Sequence, residues 1–201
     1  MPLVKPPLCT ICGIPFIGAG GNHICGQCQT QPPHFDSALA HLLYEESARD
    51  LIHTFKYSHK THLRRPLALL ALEGLTEFIS DRTPDVIIPV PLHRSRLRSR
   101  GFNQAVLLGE LFSSRLSLPM LTDGISRTRQ TEPQIELSAD DRRINVKGAF
   151  AVNRLGGILE KRILLLDDVM TTGSTVNECA KVLKKAGAAS VVVVTLARTA
   201  K

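Results

Sequence analysis

The chain has 201 residues, 43% hydrophobic and 21% charged, with a formal net charge of +7, which is enough for one full core and a small appendage but not for two ordinary domains. Aromatic residues are scarce, at 4% with no Trp, which argues against a base-stacking platform, while the positive charge admits polyanion partners and phosphate-binding chemistry alike. No run of about 18 apolar residues and no leader-like start is present, so membrane insertion is not expected and a cytoplasmic protein is.

Four of the five cysteines fall early, as Cys9-x-x-Cys12 and Cys25-x-x-Cys28. This is the double-knuckle spacing of a tetrahedral Zn2+ site, and Gly13 and Gly26 let backbone N–H groups turn toward thiolate sulfur. Paired disulfides suit an oxidising compartment, and a redox-active C-x-x-C opens a helix in a thioredoxin-like setting, so a structural Zn2+ is the favoured reading. His23 and His34 are spare ligands, but four thiolates already complete the shell. A segment this short builds no core, so the metal supplies most of its folding energy. Pro32 and Pro33 mark its end, giving a module at 1–33 and a main domain at 34–201.

Helices are expected over 38–54 and 67–79, the second through Leu69, Leu70, Leu72, Leu75, Phe78 and Ile79. Between them FKYSHKTHLRR gathers Lys56, His59, Lys60, His62, Arg64 and Arg65 in a basic turn, read chiefly as solvated surface. Metal binding by His53, His59 and His62 is disfavoured because no carboxylate stands near. Val86, Ile87 and Ile88 then read as a buried strand that Pro89 and Pro91 terminate. A cationic loop follows with His93, Arg94, Arg96, Arg98 and Arg100. Arginine's planar fork suits phosphate oxygens, and a plain solubilising run is the alternative. Residues 127–150 are long, polar and poor in strand, as functional or mobile loops are. Arg127, Arg129, Thr131 and Gln134 are expected to form a lid, with a short helix at 139–144 capped by Ser138; an exposed ribbon without a role is the other reading.

The most specific stretch is ILLLDDVMTTGST, residues 163–175. An apolar strand of the kind covered on both faces delivers Asp167 and Asp168 to its carboxyl end, where open α/β sheets bind ligands. Met170 leads into Thr171, Thr172, Gly173, Ser174 and Thr175, which open a helix whose N-terminus favours an anion. That helix buries Val176, Cys179, Ala180, Val182, Leu183 and Ala186, stops at Gly187 and leads to a strand over 190–196. The unit is a right-handed strand–helix–strand crossover, so the fold class is α/β, and Cys179 is a packed core thiol.

The segment resembles the phosphoribosyl-pyrophosphate (PRPP) motif of type I phosphoribosyltransferases. The resemblance implies that Asp167 and Asp168 hold the ribose hydroxyls, that residues 170–175 wrap the 5′-phosphate, and that the loop over 127–150 closes over the reacting centre to exclude water. If the strand at 86–88 neighbours 164–166, the segment with His93, Arg94, Arg96, Arg98 and Arg100 faces the two acids, where it would contact a pyrophosphate held with Mg2+, or DNA. The ordered set of the four-cysteine knuckle, FKYSHK, PVPLHRSRLRSRGFNQA, SRTRQTEPQIELSADDRRINVKGAF and LLLDDVMTTGSTV is similar to the ComF family, also called competence protein F or GntX. Membership implies a parallel sheet flanked by helices, PRPP and Mg2+ as ligands, and a part in natural transformation, where incoming single-stranded DNA is handled on the cytoplasmic side. Some type I enzymes place a general base where this chain has Thr171, so catalysis and the acceptor are not implied. A non-catalytic adaptor for single-stranded DNA or protein, with a helicase-like partner, is the alternative.

Overall fold

A computed structural model describes residues 1–18, 20–57, 60–130 and 139–200. In chain order the strands are β1 (Ser37–Leu43), β2 (Val86–Pro89), β3 (Ile125–Arg127), β4 (Phe150–Val152), β5 (Arg162–Met170) and β6 (Ser190–Arg198). The helices are α1 (Gly26–Thr30), α2 (Glu46–Tyr57), α3 (Arg64–Ser80), α4 (Arg94–Arg100), α5 (Gln104–Leu116), α6 (Ala139–Val146) and α7 (Ser174–Lys185). Four strands form a parallel sheet in the order β1-β6-β5-β2, and β3 and β4 pair antiparallel beside it.

Why ILLL reads as an unbroken apolar run is visible in the pleat. Ile163 and Leu165 enter one core with Val191 and Val193, packed against Val176, Cys179 and Leu183 of α7. Leu164 and Leu166 enter the opposite core with Val192 and Val194, against Ile52 and Phe55 of α2, Leu67 and Leu75 of α3 and Leu108 and Phe112 of α5. Side chains alternate faces along a strand, and here both faces are dry, so every position is apolar. Burying each such side chain contributes roughly 2 kcal/mol.

Two expected elements take another form. The helix expected over 38–54 is in fact the strand β1 followed by α2. Ala38, Ala40 and Leu42 are buried at every second position, because β6 offers a parallel edge and its hydrogen bonds override the helical propensity of ALAHLL. The cationic loop at 94–100 is the helix α4, N-capped by His93, whose Nδ1 accepts from the Ser95 N–H at 3.3 Å. In α3 the buried face is Leu67, Ala68, Ala71, Leu72, Leu75 and Ile79, with Leu69, Leu70 and Phe78 at its margin.

The N-terminal residues cover the free edge of β1. Val4 N–H donates to the His41 carbonyl at 2.9 Å, Leu43 N–H to that of Pro2 at 2.9 Å, and Ala38 N–H to that of Ile11 at 2.7 Å, so an edge that would otherwise recruit another strand is paired. The approach is close enough that a Cβ on Gly13, at φ +69°, would lie 2.4 Å from the Ala38 carbonyl oxygen. Only glycine fits there.

Candidate phosphate and metal sites

β5 carries the two acids at its carboxyl end, and the pleat sends them apart. Asp168 points toward the α2 side, where Lys56 Nζ lies 3.0 Å from its Oδ2, with side chains 17% and 10% exposed. Burial opposes the Lys56 charge, but the Asp168 carboxylate, helped by Asp167, holds its pKa above the usual lysine value. Asp167 lies on the other side, within electrostatic reach of Arg127 and of Cys179 on α7. Burial first and Asp168 second push its carboxyl up to about 7, against the pull of Lys56 and Arg127. Burial combined with a specific charged neighbour is the environment that shifts acids both at functional sites and in structural ion-pair networks.

After the acids the chain turns through Thr171 and Thr172 to Gly173, which sits at φ +77° as the N-cap of α7. A Cβ there would meet Met170 Cε at 2.9 Å. Thr172 Oγ1 and Ser174 Oγ share a hydrogen bond of 2.8 Å, which orients both hydroxyls over the first turn. Asp167, Val169, Met170, Thr171, Gly173, Ser174, Thr175 and Val176 line a shallow pocket at this helix N-terminus, where backbone N–H groups and the helix dipole attract an anion. Of the eight residues expected to form one site, Asp167, Met170, Thr171, Gly173, Ser174 and Thr175 line this pocket, Thr172 bonds to Ser174 beside it, and Asp168 faces Lys56 on the other side of β5.

The arginines are sorted by the helix. Spacing of four puts Arg94 with Arg98 on an exposed face and Arg96 with Arg100 on a sheltered one. Arg100 Nη1 donates to Gln104 Oε1 at 2.7 Å and its guanidinium lies 4.7 Å from the centre of the Tyr57 ring. Arg96 is held below the usual arginine value by burial and then by Arg100. Phe55 packs against Phe102 with ring centres 5.8 Å apart and Tyr57 meets Arg100, so the FKY and RGFNQ motifs interlock, while Lys56 between them reaches Asp168 of β5.

Of the expected lid, Arg127 is 7% exposed on β3, bridged to His93 and set over Phe150 at 5.3 Å. It is the last residue of β3, paired with Phe150 of β4 on one side and bridged to His93 on the other, which holds its backbone in place. Burial and then Arg96 lower its pKa. Arg129 is exposed and donates to the Asn145 and Lys147 carbonyls at 3.0 and 2.8 Å, tying the strand to the end of α6. Thr131 and Gln134, with Ser138, lie outside the described residues, as does His59.

The four cysteines converge. The Sγ atoms of Cys9, Cys12, Cys25 and Cys28 all lie within 4.8 Å of one another. Cys12 Sγ and Cys25 Sγ are 3.8 Å apart, too far for a disulfide and matching the roughly 3.8 Å that tetrahedral Zn–S bonds of about 2.3 Å imply. The donor set thus fits a tetrahedral, thiophilic divalent metal. N–H groups support the sulfurs: Cys12 and Cys25 donate to Cys9 Sγ at 3.4 and 3.3 Å, and Cys28 to Cys25 Sγ at 3.4 Å. Burial alone would raise the Cys9 thiol, but the N–H groups of Cys12, Cys25 and Ile11 together bring it down to about 6. Cys179 is fully buried on α7 and its thiol is raised by burial and by Asp167, as a packed thiol would be.

Lys56 is the site residue that sequence reasoning assigned to solvent. Its local signal, one lysine in a basic turn, does not distinguish a solvated charge from one that the sheet folds back upon. Among the described residues no helix is long and apolar enough to cross a membrane.

The phosphoribosyl transferase domain family matches residues 63–201. Over 98% of its length the chain is 37% identical to Competence protein F of Haemophilus influenzae, covering 92% of that protein. It is 39% identical to DNA utilization protein YhgH of Escherichia coli O157:H7, over 96% of this chain and 84% of that one. A purine phosphoribosyltransferase structure from Pyrococcus horikoshii aligns at 21% identity over 68% of this chain and 73% of that chain, with a TM-score of 0.42.

Proposed function

The chain belongs to the phosphoribosyl transferase domain family, and from that premise we propose that it binds PRPP with Mg2+ in a DNA-uptake role of the kind its relatives' names describe. The observation that carries this reading is the juxtaposition at the end of β5: two carboxylates, one titrating near neutrality, directly before a left-handed Gly173 and the hydroxyl-lined N-terminus of α7. Asp167 and Asp168 would take the ribose hydroxyls as acceptors. Thr171 to Thr175 would donate to the 5′-phosphate, whose charge the helix dipole favours. Arg96 and Arg127, both on the sheltered side, would supply positive charge toward the pyrophosphate, with His93 holding the start of α4.

The carboxylates are hard oxygen donors, two in number, and suit a Mg2+ that completes its shell with ligand phosphates and water. When bound, Mg2+ would neutralise the pyrophosphate. Lys56, 3.0 Å from Asp168 Oδ2, would hold that carboxylate directed until a ligand hydroxyl competes for it. Thr171 has no basic group to offer an acceptor, so the reading commits to PRPP binding and not to transfer. Zn2+ at Cys9, Cys12, Cys25 and Cys28 would be structural, since four thiolates leave no open position. The work would be done in the cytoplasm, where incoming single-stranded DNA meets a helicase-like partner.

Calorimetry with PRPP, with and without Mg2+, tests this on the wild type and an Asp167→Asn/Asp168→Asn double variant. Binding that strengthens with Mg2+ and is lost in the double variant is the expected result; binding that ignores both overturns the ribose assignment. A second reading, an adaptor contacting single-stranded DNA, draws on Arg94 and Arg98, which α4 presents to solvent. Acids at 167 and 168 would serve no purpose in a surface that only reads phosphates.

A further inference from the structure

Arg198 is 3% exposed at the last position of β6, and it connects two sites that are far apart in sequence. Its Nη1 donates to the carbonyl of Cys12, one of the four converging cysteines. Its own backbone is held on both flanks, paired with Leu43 of β1 and Met170 of β5, and its carbonyl accepts from the Tyr44 N–H at 2.6 Å. The next residue, Thr199, donates its N–H to the Met170 carbonyl at 3.2 Å and its hydroxyl to the Thr171 carbonyl at 3.3 Å. A continuous chain of bonds therefore runs from the cysteine cluster to the first residue of the phosphate loop.

A buried guanidinium is costly unless a negative charge stands against it. No aspartate or glutamate forms an ion pair with Arg198 among the described residues. The groups of opposite charge that act on it are the thiols of Cys12, Cys9 and Cys25, with the Cys12 carbonyl in direct contact. Four thiolates around a divalent cation carry a net charge of about −2, half sunk in the protein, with Cys9 and Cys28 only 2% and 5% exposed. Each buried charge answers the other. The outer partner of a metal ligand also fixes the ligand's orientation, and here it holds the carbonyl of the Cys12 knuckle.

We propose that Arg198 is the buried counter-cation of a metal tetrathiolate at Cys9, Cys12, Cys25 and Cys28, and that through Thr199 it makes the order of the phosphate loop depend on metal occupancy. The first part rests on the cysteines alone, and neither part requires that PRPP be the ligand. Loss of the metal would leave Arg198 without the charge it answers, and its shift would strain the two bonds from Thr199 to Met170 and Thr171. The loop that receives the phosphate would loosen.

The test uses the whole zinc-loaded protein. A colorimetric chelator chase should release zinc about tenfold or more faster from Arg198→Met than from wild type, within the range by which outer partners set metal affinity, with Arg198→Lys between them. In parallel, hydrogen exchange of the wild type should show amides from Thr171 to Val176 losing protection when zinc is removed, while Ile163 to Leu165 keep theirs. In Thr199→Val, zinc should be released at the wild-type rate and the loop should no longer respond. A folded Arg198→Met that holds zinc as the wild type does overturns the counter-cation. Loop amides indifferent to zinc removal overturn the coupling. The wild-type chelation arm needs no variant, so it decides the coupling even where Arg198→Met does not fold; Arg198→Lys releasing zinc at the wild-type rate then overturns the counter-cation, and neither readout uses PRPP, so failure of the PRPP reading would be seen separately.

Discussion

Replacing Lys56 with methionine removes the charge while keeping the length of the side chain, and isolates the ion pair with Asp168. With the two groups 3.0 Å apart and side chains 17% and 10% exposed, the loss leaves a carboxylate enclosed beside a second acid. Removing one partner of a buried pair costs about 3 to 5 kcal/mol. The residual exposure lets water reach Asp168, so the low end, about 3 kcal/mol, applies. For a domain of this size each kcal/mol is worth about 2 to 4 °C, so the melting temperature of Lys56→Met should fall by about 6 to 12 °C in differential scanning fluorimetry at pH 7.5. Adding Asp168→Asn removes the stranded charge, and the double variant should recover most of the loss, with a coupling of about 2 kcal/mol in the double-mutant cycle. A fall of less than about 2 °C, or strict additivity, refutes the claim that Lys56 is folded into the site.

Three further outcomes are expected. Asp167 has a folded-state pKa of about 7, above the ordinary carboxylate value, so its contribution to stability is complete below about pH 4 and is lost as pH rises through 7; the melting temperature of Asp167→Asn, followed from pH 5 to 8, should show a shallower decline than the wild type, and parallel curves would count against the burial. Gly173→Ala forces a side chain into the left-handed region and toward Met170 Cε, which should cost about 1 to 2 kcal/mol in urea unfolding and weaken PRPP binding more than the neighbouring Thr172→Ala; an unchanged affinity would separate the turn from the ligand. Should single-stranded DNA bind at α4, changing Arg94 and Arg98 to Ala should reduce the slope of log affinity against log salt by about 1.4, at about 0.7 per phosphate contact, and an unchanged slope places the DNA elsewhere.

The local order of the 171–175 loop was legible in the sequence because its cause is local. ILLL can be apolar throughout only where both faces of a strand are covered, and TTGST can follow only where a helix begins at a glycine. The double C-x-x-C spacing was equally legible, since a tetrahedral shell limits how ligands are separated. The helix over 67–79 was readable from its period. By contrast ALAHLL has the composition of a helix, and it is β1 because β6 lies alongside, a partner some 150 positions away in the chain.

What the sequence determined by itself was which groups meet along the chain: paired acids before hydroxyls, thiols in pairs, arginines at alternate positions. Tertiary structure decided which way each one faces. The pleat divides Asp167 from Asp168 so that Lys56 pairs directly with Asp168 alone while acting on both, and the helical turn divides four arginines into a sheltered pair and an exposed pair. Lys56 and Arg198 became site residues only because α2 and β6 bring them back across the sheet. Charges buried at short range dominate such a site, and which charges lie at short range is a property of the folded chain.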